Sequence, residues 1–256
     1  MWELEREPLP ALARLRCAIV GDGRLGRALT AALREAALPV DGPHGRGFDG
    51  ADADVVLLCV PDAEIAVAAA AIAPHPDGHG PLVGHCSGAT TLDALAPHEA
   101  FSLHPLMTVP AGEPAPFAGA SAAIAGTTPR ARETAHQLAA AVGLTPIEVA
   151  DADRTAYHAA ASIASNFLVT LEAAAEQLAQ TAGVDRQALV PLVRATVENW
   201  ATLGPDQALT GPIARGDEET VTRQRHAIQE RTPHLLPLFD ALADATRAMA
   251  SSGAAA

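Results

Sequence analysis

Two short stretches carry residue types that could do chemistry. The first is GDGRLG at 21–26, with glycines at positions 21, 23 and 26. It follows an apolar run, RCAIV at 16–20, and opens an alanine-rich run from Arg24 to Ala36. A G-x-G-x-x-G pattern is weak alone, but between a strand and a helix it points to dinucleotide binding. Gly21 permits the tight turn, Gly23 lets backbone N–H groups approach a pyrophosphate, and Gly26 lets the helix pack on the strand. The anion then sits at the positive end of the helix. A methyltransferase-type loop fits less well, because the third glycine keeps the dinucleotide spacing.

The second stretch is YHAAASIASNF at 157–167, with His158, Ser162, Ser165 and Asn166 and no charged side chain. At 100° per residue these four fall within about one quadrant of a helix. The opposite face carries Ala160, Ile163, Phe167, Leu171, Ala174 and Leu178, the pattern of a core-facing stripe. A solvent face would carry Glu or Arg, which occur only at the ends, at Arg154, Glu172 and Glu176. Small neutral hydrogen-bonding groups suit a semi-buried cleft, where charge is costly. His158 is then the candidate proton donor, and Ser162 and Asn166 are candidates to orient a substrate.

Further candidates lie at predicted strand ends and in one loop. HCSGATTL at 85–92 offers His85 and Ser87, and SLHPLMT at 102–108 offers His104 held by Pro105. Strand C-terminal ends are where parallel α/β sheets bind ligands. Ser87 is placed with the cofactor and His104 with the catalytic candidates. The loop TGPIARGD, with Thr210, Gly211 and Arg215, offers a guanidinium to clamp a substrate carboxylate. The choice of dinucleotide stays open. Asp41, about 20 residues after the glycines, would bind a ribose hydroxyl and favour NAD, whereas Arg46 in GPHGRG could take a 2′-phosphate and favours NADP.

The elements that must position these groups are legible in the hydrophobic pattern. Strand-like runs at 16–20, 54–60, 81–85, 101–104, 120–125 and 145–149 alternate with helical runs at 24–36, 63–73 and 130–142. DVVLLCV at 54–60 is nearly all apolar, as in a sheet covered on both faces. This rhythm predicts an α/β fold with a doubly wound, mainly parallel sheet. After about Ala150 the strand signal ends. Asp151 or Asp153 is positioned to cap a long helix running to Gly183, Asp185 to cap another containing Pro191, and two more helical runs follow at 218–229 and 234–249. The expected division is residues 1–150 for the dinucleotide and 151–256 for a helical substrate and dimerisation domain, with the SSGAAA tail frayed.

Composition excludes several classes. A net charge of −13 argues against nucleic acid or an anionic membrane as partner. No apolar run approaches the roughly 20 residues of a spanning helix. The start, MWELEREPLP, has no apolar signal core, so a cytoplasmic location is expected. The three cysteines, Cys17, Cys59 and Cys86, fit no metal spacing, and no metal site is expected. All 17 basic residues are Arg, so Schiff-base, P-loop and acid–base lysines are excluded.

Taken in order, VGDGRLG, LLCVPDAEI, GHCSGATTL, FSLHPLMT, YHAAASIASNFL and LTGPIARGD resemble the short-subunit dehydrogenase-like oxidoreductases. These join a Rossmann-like domain to a helical domain of unknown function like the C-terminal domain of 6-phosphogluconate dehydrogenases. More distantly the chain is similar to pyrroline-5-carboxylate reductases, ketopantoate reductases and 3-hydroxyacid dehydrogenases. The resemblance implies cofactor contacts at Gly21, Gly23, Arg24, Leu25, Gly26, Val60 and Pro61, and a homodimer through the helical domain. Hydroxyacid and ketopantoate relatives carry a catalytic Lys on the second-domain helix with Asn one turn later; His158 and Ser162 take those positions here. The expected function is NAD(P)H-dependent reduction of a C=O or C=N bond in a small carboxylate-bearing substrate. The rival is a dinucleotide-binding sensor or scaffold without turnover.

Overall fold

A computed structural model describes residues 14–50, 52–73, 80–109 and 116–253. The first ten residues, read above as lacking a signal core, lie outside the described residues. The chain divides into two compact units, Met1–Ser165 and Asn166–Ala256.

The first unit is built on seven strands among the described residues: β1 (Cys17–Val20), β2 (Val40–His44), β3 (Val55–Leu58), β4 (Leu82–His85), β5 (Ala100–Leu106), β6 (Ser121–Gly126) and β7 (Thr145–Glu148). Their order is β2-β1-β3-β4-β5-β6-β7. Neighbours are parallel except β5 and β6, which run antiparallel. The chain leaves β1 to one side for β2 and crosses to the other for β3, so the switch point of this Rossmann-like sheet lies between β1 and β3.

Alternation along each strand feeds two cores. Cys17, Ile19, Val55 and Leu57 join one, packed with Leu29 and Leu33 of α1 (Arg24–Glu35) and Leu138 of α3 (Pro129–Ala141). Ala18, Val20, Val56 and Leu58 join the other, with Ile65 and Ala69 of α2 (Ile65–Ala70) and with Leu92 and Leu95. Helices on both faces explain why these strands are continuously apolar.

Strand β2 has no counterpart among the runs expected from sequence. It holds Gly42 and Pro43 and, among the described residues, pairs with β1 alone; an edge strand tolerates proline because one side needs no N–H donor.

The first unit runs past the last strand through a 3₁₀ turn at Asp151–Asp153 into α4 (Arg154–Ser162). The aspartate cap expected there is replaced by other bonds. Asp153 makes no side-chain cap, and the Asp151 carboxylate accepts from Leu92 N (2.9 Å) and Arg154 Nε (2.8 Å). A π-turn at Ile163–Phe167 then widens the helix before α5 (Leu168–Gln180). The wider turn breaks the uniform 100° step, so the face read from 158 to 166 is not continuous with the stripe beyond it. That stripe is also not buried: Ile163 is 62% and Phe167 60% exposed.

The second unit continues with α6 (Arg186–Leu203), α7 (Pro205–Ala208), α8 (Glu218–Arg231) and α9 (Leu236–Gly253). Asp185 precedes α6 without a side-chain cap. Pairs such as Arg225 with Asp240 (2.8 Å) and Arg247 with Glu218 (2.8 Å) tie α8 to α9. Its described buried hydrophobics are Val221, Ile228 and Ala243, while Trp200 is 60% exposed and Leu192, Leu203, Leu238 and Leu242 are also exposed. Of the tail expected to fray, residues 251–253 close α9 and the last three lie outside the described residues. No helix among the described residues is long and apolar enough to cross a membrane.

Candidate functional site

The glycine loop has the geometry its spacing requires, but each glycine is there for a different reason. Gly21 has φ +114°, and a Cβ on it would lie 2.3 Å from the Cys59 carbonyl oxygen. A Cβ on Gly26 would lie 1.9 Å from the Gly21 carbonyl oxygen. Both positions are closed to a side chain by the protein itself. Gly23 is different: a Cβ there would meet nothing within 4 Å. It is the N-cap of α1, with no side-chain cap and no acidic residue in the first turn. The first amides of α1 therefore point from an open backbone with no side-chain acceptor, which is the cradle a phosphate fills. Arg24 reaches Val109 O (3.4 Å) and Leu25 packs on the core. Val60 and Pro61 follow β3, across the switch point from Gly21.

The register separates the two candidates for ribose recognition. Asp41 pairs with Ala18, within the sheet, whereas His44 pairs with Val20 and its carbonyl accepts from Gly21 N at 2.9 Å. The C-terminal edge of β2, beside the phosphate loop, is thus the His44–Arg46 turn. Asp41 Oδ2 lies 3.0 Å from His44 Nε2, but the alignment is not that of a hydrogen bond. Arg46 projects into solvent and pairs with Glu64 at 2.8 Å.

At the ends of β4 and β5 the first unit assembles a polar cluster. His104 Nδ1 is 2.8 Å from the Tyr157 hydroxyl. The His104 and His158 rings meet edge-on with centroids 6.2 Å apart. Gly88 fits against both: a Cβ there would come within 2.8 Å of His104 Cε1 and of His158 Cδ2. Burial, then the His158 and Arg154 charges, push the His104 pKa down to about 4, so the ring is neutral at pH 7. Burial also raises the Tyr157 pKa, against the opposing pull of Arg154.

Arg154 organises the cluster from beneath. It is 1% exposed, and its guanidinium donates to Asp151 Oδ1 (2.8 Å), to the Ser87 carbonyl (3.0 Å) and to Ser102 Oγ. Its DADR spacing was the available signal, but Arg at a helix start reads as surface charge. Tyr157 was equally missed, because one aromatic beside a histidine reads as packing.

Ser87, expected beside the cofactor, is held within its own loop. Its hydroxyl donates to Asp62 Oδ2 (2.8 Å) and accepts from Ala89 N (3.1 Å) and Thr90 N (2.9 Å), which uses its whole capacity. It shapes the loop that carries Gly88. His85 is fully buried; its Nδ1 accepts from Ser87 N (3.2 Å), and burial followed by the Arg154 charge lowers its pKa to about 4.

Ser162 lies half-buried one turn beyond His158 on α4. The remaining candidates belong to the second unit. Asn166 is exposed in the π-turn. Thr210, Gly211 and Arg215 occupy the turn before α8, with Gly211 at φ +100° and Arg215 exposed. Asp217 caps α8 by accepting from Thr220 N at 3.0 Å. Among the described residues no group of three or more His, Cys, Asp or Glu could hold a metal ion.

The family model described as a domain of unknown function, DUF2520, matches residues 120–246. No curated protein matches the chain. Solved structures with the same fold include a candidate NADP oxidoreductase from Bacteroides fragilis, with a TM-score of 0.76 and 18% identity over 92% of this chain and 99% of that one. A Thermotoga maritima protein has a TM-score of 0.73 and 23% identity over 92% and 98% of the two chains. The reductive aminase from Aspergillus terreus, in complex with NADPH and ethyl-5-oxohexanoate, has 0.66 and 17% over 93% and 97%. These likenesses establish a Rossmann-like unit followed by a helical unit.

Proposed function

We propose that this chain is an NAD(P)H-dependent oxidoreductase that reduces a C=O or C=N bond in a small carboxylate-bearing substrate, with NADP as the preferred dinucleotide. The observation that carries the reading is Gly23. Nothing in the protein requires glycine there, and it opens an uncapped helix N-terminus at the switch point. Gly21, Gly23, Arg24 and Gly26 would hold the pyrophosphate, with Val60 and Pro61 beside it. Arg46, at the β2 edge, would take the 2′-phosphate by exchanging its pairing with Glu64. Bound there, the dinucleotide supplies hydride.

The chain's own residues would do the rest. The neutral imidazole of His104, with the His158 ring edge-on to it, lies at the C-terminal edge of the sheet, where a proton donor to the substrate heteroatom belongs. Ser162 and Asn166 would orient the substrate, and Arg215 would clamp its carboxylate. Comparison with NADPH-dependent reductases of the same fold supports this reading without identifying the substrate. The unit 1–165 would be the dinucleotide domain and the helical unit the substrate and dimer domain. The exposed apolar side chains of the helical unit support a homodimer as the form in solution, which sedimentation would check.

The test is NADPH consumption against a panel of keto acids, ketones and cyclic imines, with His158→Ala and His104→Gln alongside. The reading expects turnover with at least one panel member, and kcat reduced in the variants with NADPH affinity unchanged. Tight NADPH binding with no turnover would favour a sensor.

A further inference from the structure

His104 and His158 are both candidate donors, and the hydrogen bonding around them distinguishes their roles. His104 belongs to β5 and is half-buried. Among the described residues its Nδ1 has one partner, the Tyr157 hydroxyl at 2.8 Å. Two assignments fit that distance. Either the phenol donates to Nδ1, or an Nδ1–H donates to the phenol oxygen. A phenol is by far the stronger acid of the two, and a neutral imidazole nitrogen is a good acceptor, so the phenol is the donor. The proton of the neutral ring must then sit on Nε2.

Nε2 of His104 makes no hydrogen bond among the described residues, nor is it among the buried polar atoms left without a partner. Among the described residues it is therefore not sealed in the protein, and Gly88, where a Cβ would press on the Cε1–Nδ1 edge of the ring, leaves that edge clear. His158, by contrast, is exposed and makes no comparable bond among the described residues to fix its tautomer. The charged and titratable groups that face His104 are His158, Arg154 and Tyr157 from α4 and Asp62 from the turn after β3.

We propose that Tyr157 is a positioning residue that fixes His104 as the Nε2–H tautomer, making His104, rather than His158, the group that presents an N–H to the substrate heteroatom. The identification of the heteroatom rests on the reductase reading; the tautomer does not. In the reduction, hydride from the bound dinucleotide would go to the carbon while the Nε2 proton passes to the heteroatom. The Tyr157 hydroxyl proton passes to Nδ1 at the same time. The imidazole is neutral before and after, and the tyrosine is left as phenolate until the Nδ1 proton returns to it and Nε2 takes up a proton from water, which restores the starting tautomer. Arg154, whose positive charge opposes the effect of burial on Tyr157, eases that step.

Two measurements separate this proposal from the reductase reading. Nitrogen-15 NMR of the full chain, with His104 assigned by His104→Gln, reads the tautomer directly. The proposal expects Nε2 protonated in the wild type and a mixture of tautomers in Tyr157→Phe. A wild-type ring protonated on Nδ1 overturns it, whether or not the protein turns over any substrate. On a substrate found by the panel, Tyr157→Phe should lower kcat roughly 100-fold while KM stays within about twofold, the size expected for loss of a general-acid pathway. An unchanged kcat overturns the relay. A wild-type protein that reduces nothing counts against the reductase reading alone, and the NMR result still stands or falls by itself.

Discussion

The buried guanidinium of Arg154 donates to the backbone carbonyl of Ser87 at 3.0 Å, joining the first turn of α4 to the loop after β4. Through this bond, and those to Asp151 and Ser102, one side chain sets where α4 starts relative to β4 and β5. Tyr157 and His158, on the next turn, come to face His104 and Gly88 as a result.

Arg154→Leu should therefore destabilise the fold strongly. It strands the Asp151 carboxylate and leaves the Ser87 carbonyl and the Ser102 hydroxyl short of a partner, a loss of about 3–5 kcal/mol. Arg154→Met combined with Asp151→Asn removes both charges and should recover part of it. Urea unfolding of the two variants checks the order.

The three glycines of the loop should behave differently. Gly26→Ala sets a methyl group against the Gly21 carbonyl and should lower the melting temperature markedly. Gly23→Ala adds a methyl group in open space and should melt like the wild type. Its dinucleotide affinity should still fall roughly tenfold or more, about 1.4 kcal/mol or more of binding free energy. Thermal melts beside NADPH titrations separate the two effects.

Acid should weaken the fold through His85 and His104. Both have pKa values lowered to about 4, against an ordinary 6.5 in the unfolded chain. As pH falls below about 6.5 the unfolded state takes up protons first, so stability drops between about pH 6.5 and 4 and is level above that window. Each histidine contributes on the order of 1–3 kcal/mol to the fall. Urea midpoints at pH 7.5, 6 and 5 should decline in that order, and His85→Asn should flatten the decline.

Arg46→Ala should weaken NADPH binding by roughly 10–100-fold and leave NADH binding nearly unchanged, since a lost charge-assisted contact to phosphate affects only the phosphorylated ribose. Parallel titrations with the two nucleotides check this.

Much of this architecture could be read from the residues. The apolar strands, the glycine spacing and the change to helices after the last strand are local signals, and each appears in the structure. Strand β2 escaped because Gly42 and Pro43 carry no strand signal, and only pairing with β1 makes the segment extended. The stripe through Ile163 and Phe167 was misjudged because a wheel drawn at constant pitch cannot register a π-turn. It also assumed that an apolar stripe must face the chain's own core. Arg154 and Tyr157 were invisible for a further reason. Their roles depend on bonds to Ser87, Ser102 and His104, which lie more than 50 residues away in sequence.

The central claim is that the Gly21–Gly26 loop and the β2 edge hold a phosphorylated nicotinamide dinucleotide. Calorimetric titration of the purified full chain with NADPH and with NADH tests it most directly. The account predicts micromolar binding of NADPH and distinctly weaker binding of NADH. Absence of binding by either nucleotide, from a protein shown to be folded, would contradict it.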